Sequence, residues 1–133
     1  MRTLPVRLHP NQDLRLALEA LLAQEKVGAA FVMQGIGSLS TASIRYAGMS
    51  EATELRGDME ILTLSGTLSP DGAHLHMTVA DAQGRVLGGH VAPGCIVRTT
   101  AEILLVLLPD YRFSREPDLA SGCNELVIRP SPA

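Results

Sequence analysis

Residues 73–91, AHLHMTVADAQGRVLGGHV, constrain the fold of this chain more than any other segment. Leu75, Met77 and Val79 alternate with His74, His76 and Thr78, the period of two that marks a strand with one buried face. The run then meets Asp81-Ala82-Gln83-Gly84 and resumes, which describes a hairpin. A two-residue loop, Ala82-Gln83, would pair Asp81 with Gly84 and set His90 opposite Leu75, on the apolar face. Such loops need Gly, Asn or Asp at their centre, and Ala-Gln supplies none. A three-residue loop, Ala82-Gln83-Gly84, puts a glycine at the left-handed position that closes a type I turn. Asp81 then pairs with Arg85, and His76 falls directly opposite His90. A bulge at Gly88-Gly89 is the one event that would undo this count.

The remaining chain reads as further strands around a single helix. MRTLPVRLHP is a short strand ending at a turn with Pro10, with His9 alone in a solvated loop. NQDLRLALEALLAQEKVG is the helix, because Leu14, Ala17, Leu18, Leu21 and Leu22 recur at i, i+3, i+4. Asn11 is the expected N-cap, and Gly28 stands where a C-terminal glycine belongs. Ala30 to Gln34 reads as a buried strand that Gly35 and Gly37 break or bend, and TASIRYA continues as a second one. Gly-Ile-Gly here is not a dinucleotide fingerprint, since the third glycine and the following helix are missing. GDMEILTLSGTLSPDG is a strand that stops at a Pro-Asp-Gly turn. Ile103 to Leu108 suits helix or strand by periodicity; the Val, Ile and Thr content and the flanking Pro93-Gly94 and Pro109 favour strand. NELVIRP closes the chain. One helix and about seven strands, many adjacent in sequence, predict an α+β domain with a mostly antiparallel sheet over residues 1–133.

The 133 residues suit one domain, and with 46% hydrophobic content disorder is not the default reading. The net charge is −3, and the 11 Lys and Arg residues form no basic run. That gives no support to nucleic-acid binding by this chain alone. No apolar run reaches the roughly 18 residues that span a bilayer, and the N-terminus lacks the apolar stretch of a signal peptide. A soluble, cytoplasmic protein with no membrane partner is expected. Cys95 and Cys123 have no metal-finger or CxxC spacing and read as two reduced thiols.

Three of the four histidines lie within seventeen residues and, on the register above, on one sheet face. Directly opposed residues have Cβ atoms about 5 Å apart, so three imidazoles converge. A zinc ion, with Zn–N bonds of about 2.0–2.1 Å, fits such a gathering. The plain alternative is a solvated polar face. Three protein ligands with no fourth are the pattern of a site that keeps a position open for water or substrate. Glu102 and Glu60 are candidates for a nearby carboxylate that acts as acid, base or orienter. Other divalent transition metals compete for imidazole ligands.

The same residues carry a family resemblance. GAHLHMTVADAQGRVLGGHVAPGCIVRTTAEILL resembles the core of the plants-and-prokaryotes-conserved (PPC) domain, with its Gly-x-His-x-His strand, Asp-x-x-Gly turn, Gly-Gly-His and Thr-Ala-Glu before an apolar strand. Upstream, LRLALEALLAQEKVGAAFVMQGIGSLSTASIRYAG and MEILTLSGTLS are similar to the family's helix, Gly-Ile-Gly segment and following strand. The resemblance implies a curved antiparallel sheet with one main helix, assembled as a homotrimer. It implies a metal, typically zinc, on His74, His76 and His90, and a fold similar to acetolactate decarboxylase, a zinc enzyme with three histidine ligands; a small-molecule ligand is the expectation that goes with the open position of such a site. Membership of itself implies no particular reaction. Two other roles go with the family: a non-catalytic assembly module, and DNA binding in plant members that carry an AT-hook. This chain has no Arg-Gly-Arg-Pro hook.

Overall fold

A computed structural model describes residues 1–132. The elements in chain order are β1 (Arg2–Leu8), α1 (Leu14–Glu25), β2 (Ala30–Arg45), β3 (Thr53–Ser69), β4 (Gly72–Ala80), β5 (Val86–Val91), β6 (Ile96–Leu107), β7 (Tyr111–Pro117) and β8 (Asn124–Pro130). Six strands form one antiparallel sheet in the order β1-β6-β2-β3-β4-β5, and β7 and β8 form a separate hairpin. The end of β5 also pairs with the end of β2, Ile44 with Val91 and Arg45 with His90. The sheet therefore curls until β2, β3, β4 and β5 close on one another. The expected α+β class with a curved antiparallel sheet and one helix near the N-terminus is what the chain adopts.

The buried face of this curl follows the alternation in the sequence. Leu75, Met77 and Val79 point inward from β4 and are almost fully buried, as are Leu64 and Leu68 on β3 and Leu105 and Leu107 on β6. α1 covers the core with Leu14, Leu18 and Leu22, one stripe at i, i+4, i+8. Each fully buried leucine contributes roughly 1.5–3 kcal/mol of transfer free energy.

Several local expectations are corrected. The N-cap is Asp13, not Asn11. Asp13 Oδ1 accepts the Leu16 N–H at 3.0 Å, and its Oδ2 accepts the Gly94 N–H at 2.7 Å. Asn11 is instead left-handed, at φ 71°, and gives its N–H to Val97 O. The carboxylate wins the cap because it serves the helix and the loop before β6 at once. The helix ends at Lys26 in the left-handed conformation, two residues before Gly28. The carbonyl of Gly28 is used elsewhere, accepting the Phe113 N–H at 2.9 Å. The glycines at 35 and 37 do not divide the segment that contains them: β2 runs unbroken from Ala30 to Arg45, and shifts of register against β3 and β6 absorb the irregularity. The β7–β8 hairpin brings the strand count to eight.

Candidate metal centre

The β4–β5 hairpin has the three-residue loop. The Asp81 N–H donates to Arg85 O and the Gly84 N–H to Asp81 O, both at 2.9 Å, and Gly84 lies at φ 78°. The Asp81 carboxylate accepts the N–H groups of Gln83 and Arg85 and pairs with the Arg85 guanidinium at 2.8 Å. These bonds hold its carboxyl below the usual carboxylate range, the Arg85 N–H foremost. His76 stands directly opposite His90.

Gly88 and Gly89 cause no bulge between β4 and β5. Their role is close approach. A Cβ on Gly89 would lie 2.6 Å from Arg45 O and 2.9 Å from Ile44 Cγ2, and one on Gly88 would lie 2.7 Å from Met77 O. Bare backbone lets β5 wedge between β4 and β2, which closes the curl and carries His90 into place.

The three imidazoles converge on the outer face of the sheet. Ring centroids are 5.1 Å apart for His74–His76, 5.2 Å for His74–His90 and 4.4 Å for His76–His90. One ring nitrogen from each lies within 4.8 Å of the others. Tetrahedral bonds of about 2.0–2.1 Å need donor nitrogens roughly 3.3 Å apart, so at its widest the set would have to close by up to about 1.5 Å to share one ion. Burial holds His74 below the ordinary histidine range, helped by the Arg115 guanidinium, and Glu125 opposes the shift. Burial does the same to His90, helped by Arg45. Both effects favour the neutral imidazole, the form that ligates metal.

The histidines line a cavity of about 880 Å³ whose charged rim comes from distant parts of the chain: Arg15 of α1, Arg45 of β2, Asp71 of the β3–β4 turn, Arg115 of β7 and Glu125 of β8. None of these five was singled out in the sequence as a site residue, neither the two arginines Arg15 and Arg45 nor Asp71, Arg115 and Glu125. Asp71 sits in a turn, and Arg115 and Glu125 sit on the β7–β8 hairpin, whose docking is purely tertiary: Asp71 Oδ2 accepts the Arg115 N–H at 2.9 Å. Glu102 stands on β6, opposite Arg7 and Ile36, and lines a different, shallow apolar cavity with Ile36 and Leu104. Glu60 is exposed on β3, opposite Ala80. Within one chain neither lines the histidine cavity. Cys95 is buried and free, and burial pushes its thiol up to about 11, so it is inert at neutral pH. Cys123 is free and exposed.

An antiparallel α+β curl with one capping helix and three histidines on two neighbouring strands defines the class. The description of the Plants and Prokaryotes Conserved (PCC) domain matches residues 1–109. The chain belongs to that family. It is 52% identical over 130 residues to the bifunctional protein GlmU of a Synechococcus strain, a match that spans 98% of this chain and 21% of that protein. The chain thus spans about a fifth of the length of the curated relatives it matches first. A 92-residue stretch is 33% identical to AT-hook motif nuclear-localized protein 21 of Arabidopsis thaliana. Among solved structures, a hypothetical protein from Salmonella superposes with a TM-score of 0.94 at 43% identity, over 97% of this chain and 94% of that one. A metal-containing protein from Archaeoglobus fulgidus superposes at 0.80 with 25% identity, over 96% and 94% of the two chains.

Proposed function

We propose that this chain is a homotrimeric metal-binding domain in which His74, His76 and His90 hold a divalent transition metal, zinc foremost, that meets a small molecule at an open coordination position. The observation that carries the reading is the convergence of three ring nitrogens within 4.8 Å, with no fourth protein ligand in the group among the described residues. The 25% identical relative described as metal-containing supports it. A zinc ion with three histidines lowers the pKa of a bound water to about 7 or polarises a carbonyl oxygen. The protein's part is to keep the imidazoles neutral, orient them and wall the open position with charged side chains.

The trimer is what the family resemblance implies, and exposed apolar surface supports assembly of copies. Ile36 and Leu104 are exposed around the shallow cavity across β1, β2 and β6, and Met33 and Leu62 are exposed on β2 and β3. A second copy of the chain would cover such surface. Glu102 stands in this apolar region, so a part in the chemistry is open to it only across a subunit contact. An assembly module without chemistry shares this trimer and differs in needing no metal.

A second reading, direct DNA binding, draws on the name of the Arabidopsis relative. The net charge of −3 and the scattered basic residues weigh against it. A gel shift at low salt should show no salt-sensitive complex.

The test is elemental analysis of untagged protein, with light scattering on the same sample. One metal per chain, its loss in His76→Ala, and a mass three times 14.2 kDa are expected. Wild type without stoichiometric metal after zinc addition rejects the site, and a monomer rejects the assembly.

A further inference from the structure

The histidine cavity carries arginines that a metal site alone does not call for. Arg45 of β2 is directly opposite His90. Arg115 of β7 donates through Nη2 to Thr67 Oγ1 at 2.8 Å, and Thr67 is the residue opposite His74 in the β3–β4 ladder. One guanidinium is thus tethered beside each flank of the cluster. Arg15, also on the rim, is already paired with Glu19 at 3.0 Å. Among the described residues, the guanidinium of neither Arg45 nor Arg115 has a carboxylate oxygen within 4.0 Å. Arg45 uses one donor on Met49 O. Nε and Nη2 of Arg45, and Nε and Nη1 of Arg115, make no hydrogen bond among the described residues.

Cations beside a divalent-metal site repel the metal, and three neutral imidazoles bring no compensating negative charge. The facing carboxylates are Asp71, engaged by the Arg115 N–H, and Glu125 near His74. Two acids against two unpaired arginines leave the charge of the metal itself unbalanced. An anionic ligand resolves that imbalance. The planar guanidinium matches the paired oxygens of a carboxylate or phosphoryl group, and a cavity of about 880 Å³ is the size that takes a small molecule.

We propose that the cavity binds a small molecule with a terminal oxyanion, clasped between Arg45 and Arg115 above the three histidines. This rests on the metal reading of the same site. The shared chemistry is the oxyanion; whether it is a planar carboxylate or a tetrahedral phosphoryl-type group is decided by the probe.

The experiment titrates acetate and sulfate into zinc-loaded protein by calorimetry, for wild type, Arg115→Met and Arg45→Met. Zinc affinity is measured in parallel by competition with a chromophoric chelator. Wild type should bind at least one anion, the better of the two identifying the group. Each substitution should weaken that binding about tenfold or more, the loss of a charge-assisted hydrogen bond, while zinc affinity stays level or rises. Zinc uptake without anion binding, or anion binding equal in all three proteins, overturns this inference and leaves the metal reading standing. No zinc uptake by wild type overturns both. Circular dichroism checks each variant, and Arg45→Met decides if Arg115→Met does not fold.

Discussion

Gly89→Ala is a one-methyl test of how the strands bring His90 to its partners. The added Cβ would lie 2.6 Å from Arg45 O, and ordinary contact begins near 3.4 Å. The obstacle is backbone on a paired strand, so β5 must retreat from β2 by the difference, about 0.8 Å. Overpacking of this kind costs about 1–3 kcal/mol, and the Arg45–His90 and Ile44–Val91 pairings of the closure stand next to the clash. His90 follows Gly89 directly and moves with it. A ligand displaced by most of an ångström should lose about 10–100-fold in metal affinity, the range seen when the support of a ligand is removed. Urea unfolding gives the stability, and chelator competition gives the affinity. Gly28→Ala is the control, because its added Cβ meets Arg112 Cγ at an ordinary 3.4 Å; its stability should stay within about 0.5 kcal/mol of wild type. If Gly89→Ala matches the control in stability and binds zinc within about twofold of wild type, the close approach does not position His90.

The remaining predictions concern charge. In the metal-free protein, histidine titration by NMR should show His74 and His90 with midpoints below 6.5, and Arg115→Met should move the His74 midpoint upward. Because the folded midpoints lie below the unfolded value, the unfolded chain takes up protons first; stability from these groups is present above about pH 6.5 and is lost as pH falls through the folded midpoints. Midpoints at or above 6.5 refute this. On the β7–β8 hairpin, Arg129 pairs with Glu116 and, with Ser114 Oγ, holds its carboxyl down at about 2. Arg129→Met should raise that midpoint toward about 4.3, read by NMR; an unmoved midpoint denies the pairing.

What could be read in advance was local chemistry. The hairpin register, and with it the His76–His90 opposition, followed from one turn, because only Gly84 suits the left-handed position. The apolar stripe of α1 was legible for the same reason. Its cap was not: Asn11 and Asp13 are both capping residues, and the choice went to the one that also binds Gly94 across the chain. Gly88-Gly89 read as a place for a bulge, because the strand that approaches it, β2, lies more than forty residues away in sequence. Arg115 and Glu125 were invisible as site residues, since nothing local ties YRFSREP or NELVIRP to the histidines. Their placement depends on contacts such as Arg115 with Asp71 and Thr67, made across the fold.

In the proposed function His74, His76 and His90 act together on one metal ion. A crystal structure of untagged protein, with anomalous data collected on both sides of the zinc edge, tests it most directly. One anomalous peak per chain is expected, bonded to all three imidazoles at about 2.0–2.1 Å with at least one further coordination position left by the protein. Three imidazoles with no peak among them after a zinc soak, or a metal held elsewhere on the chain, would contradict it.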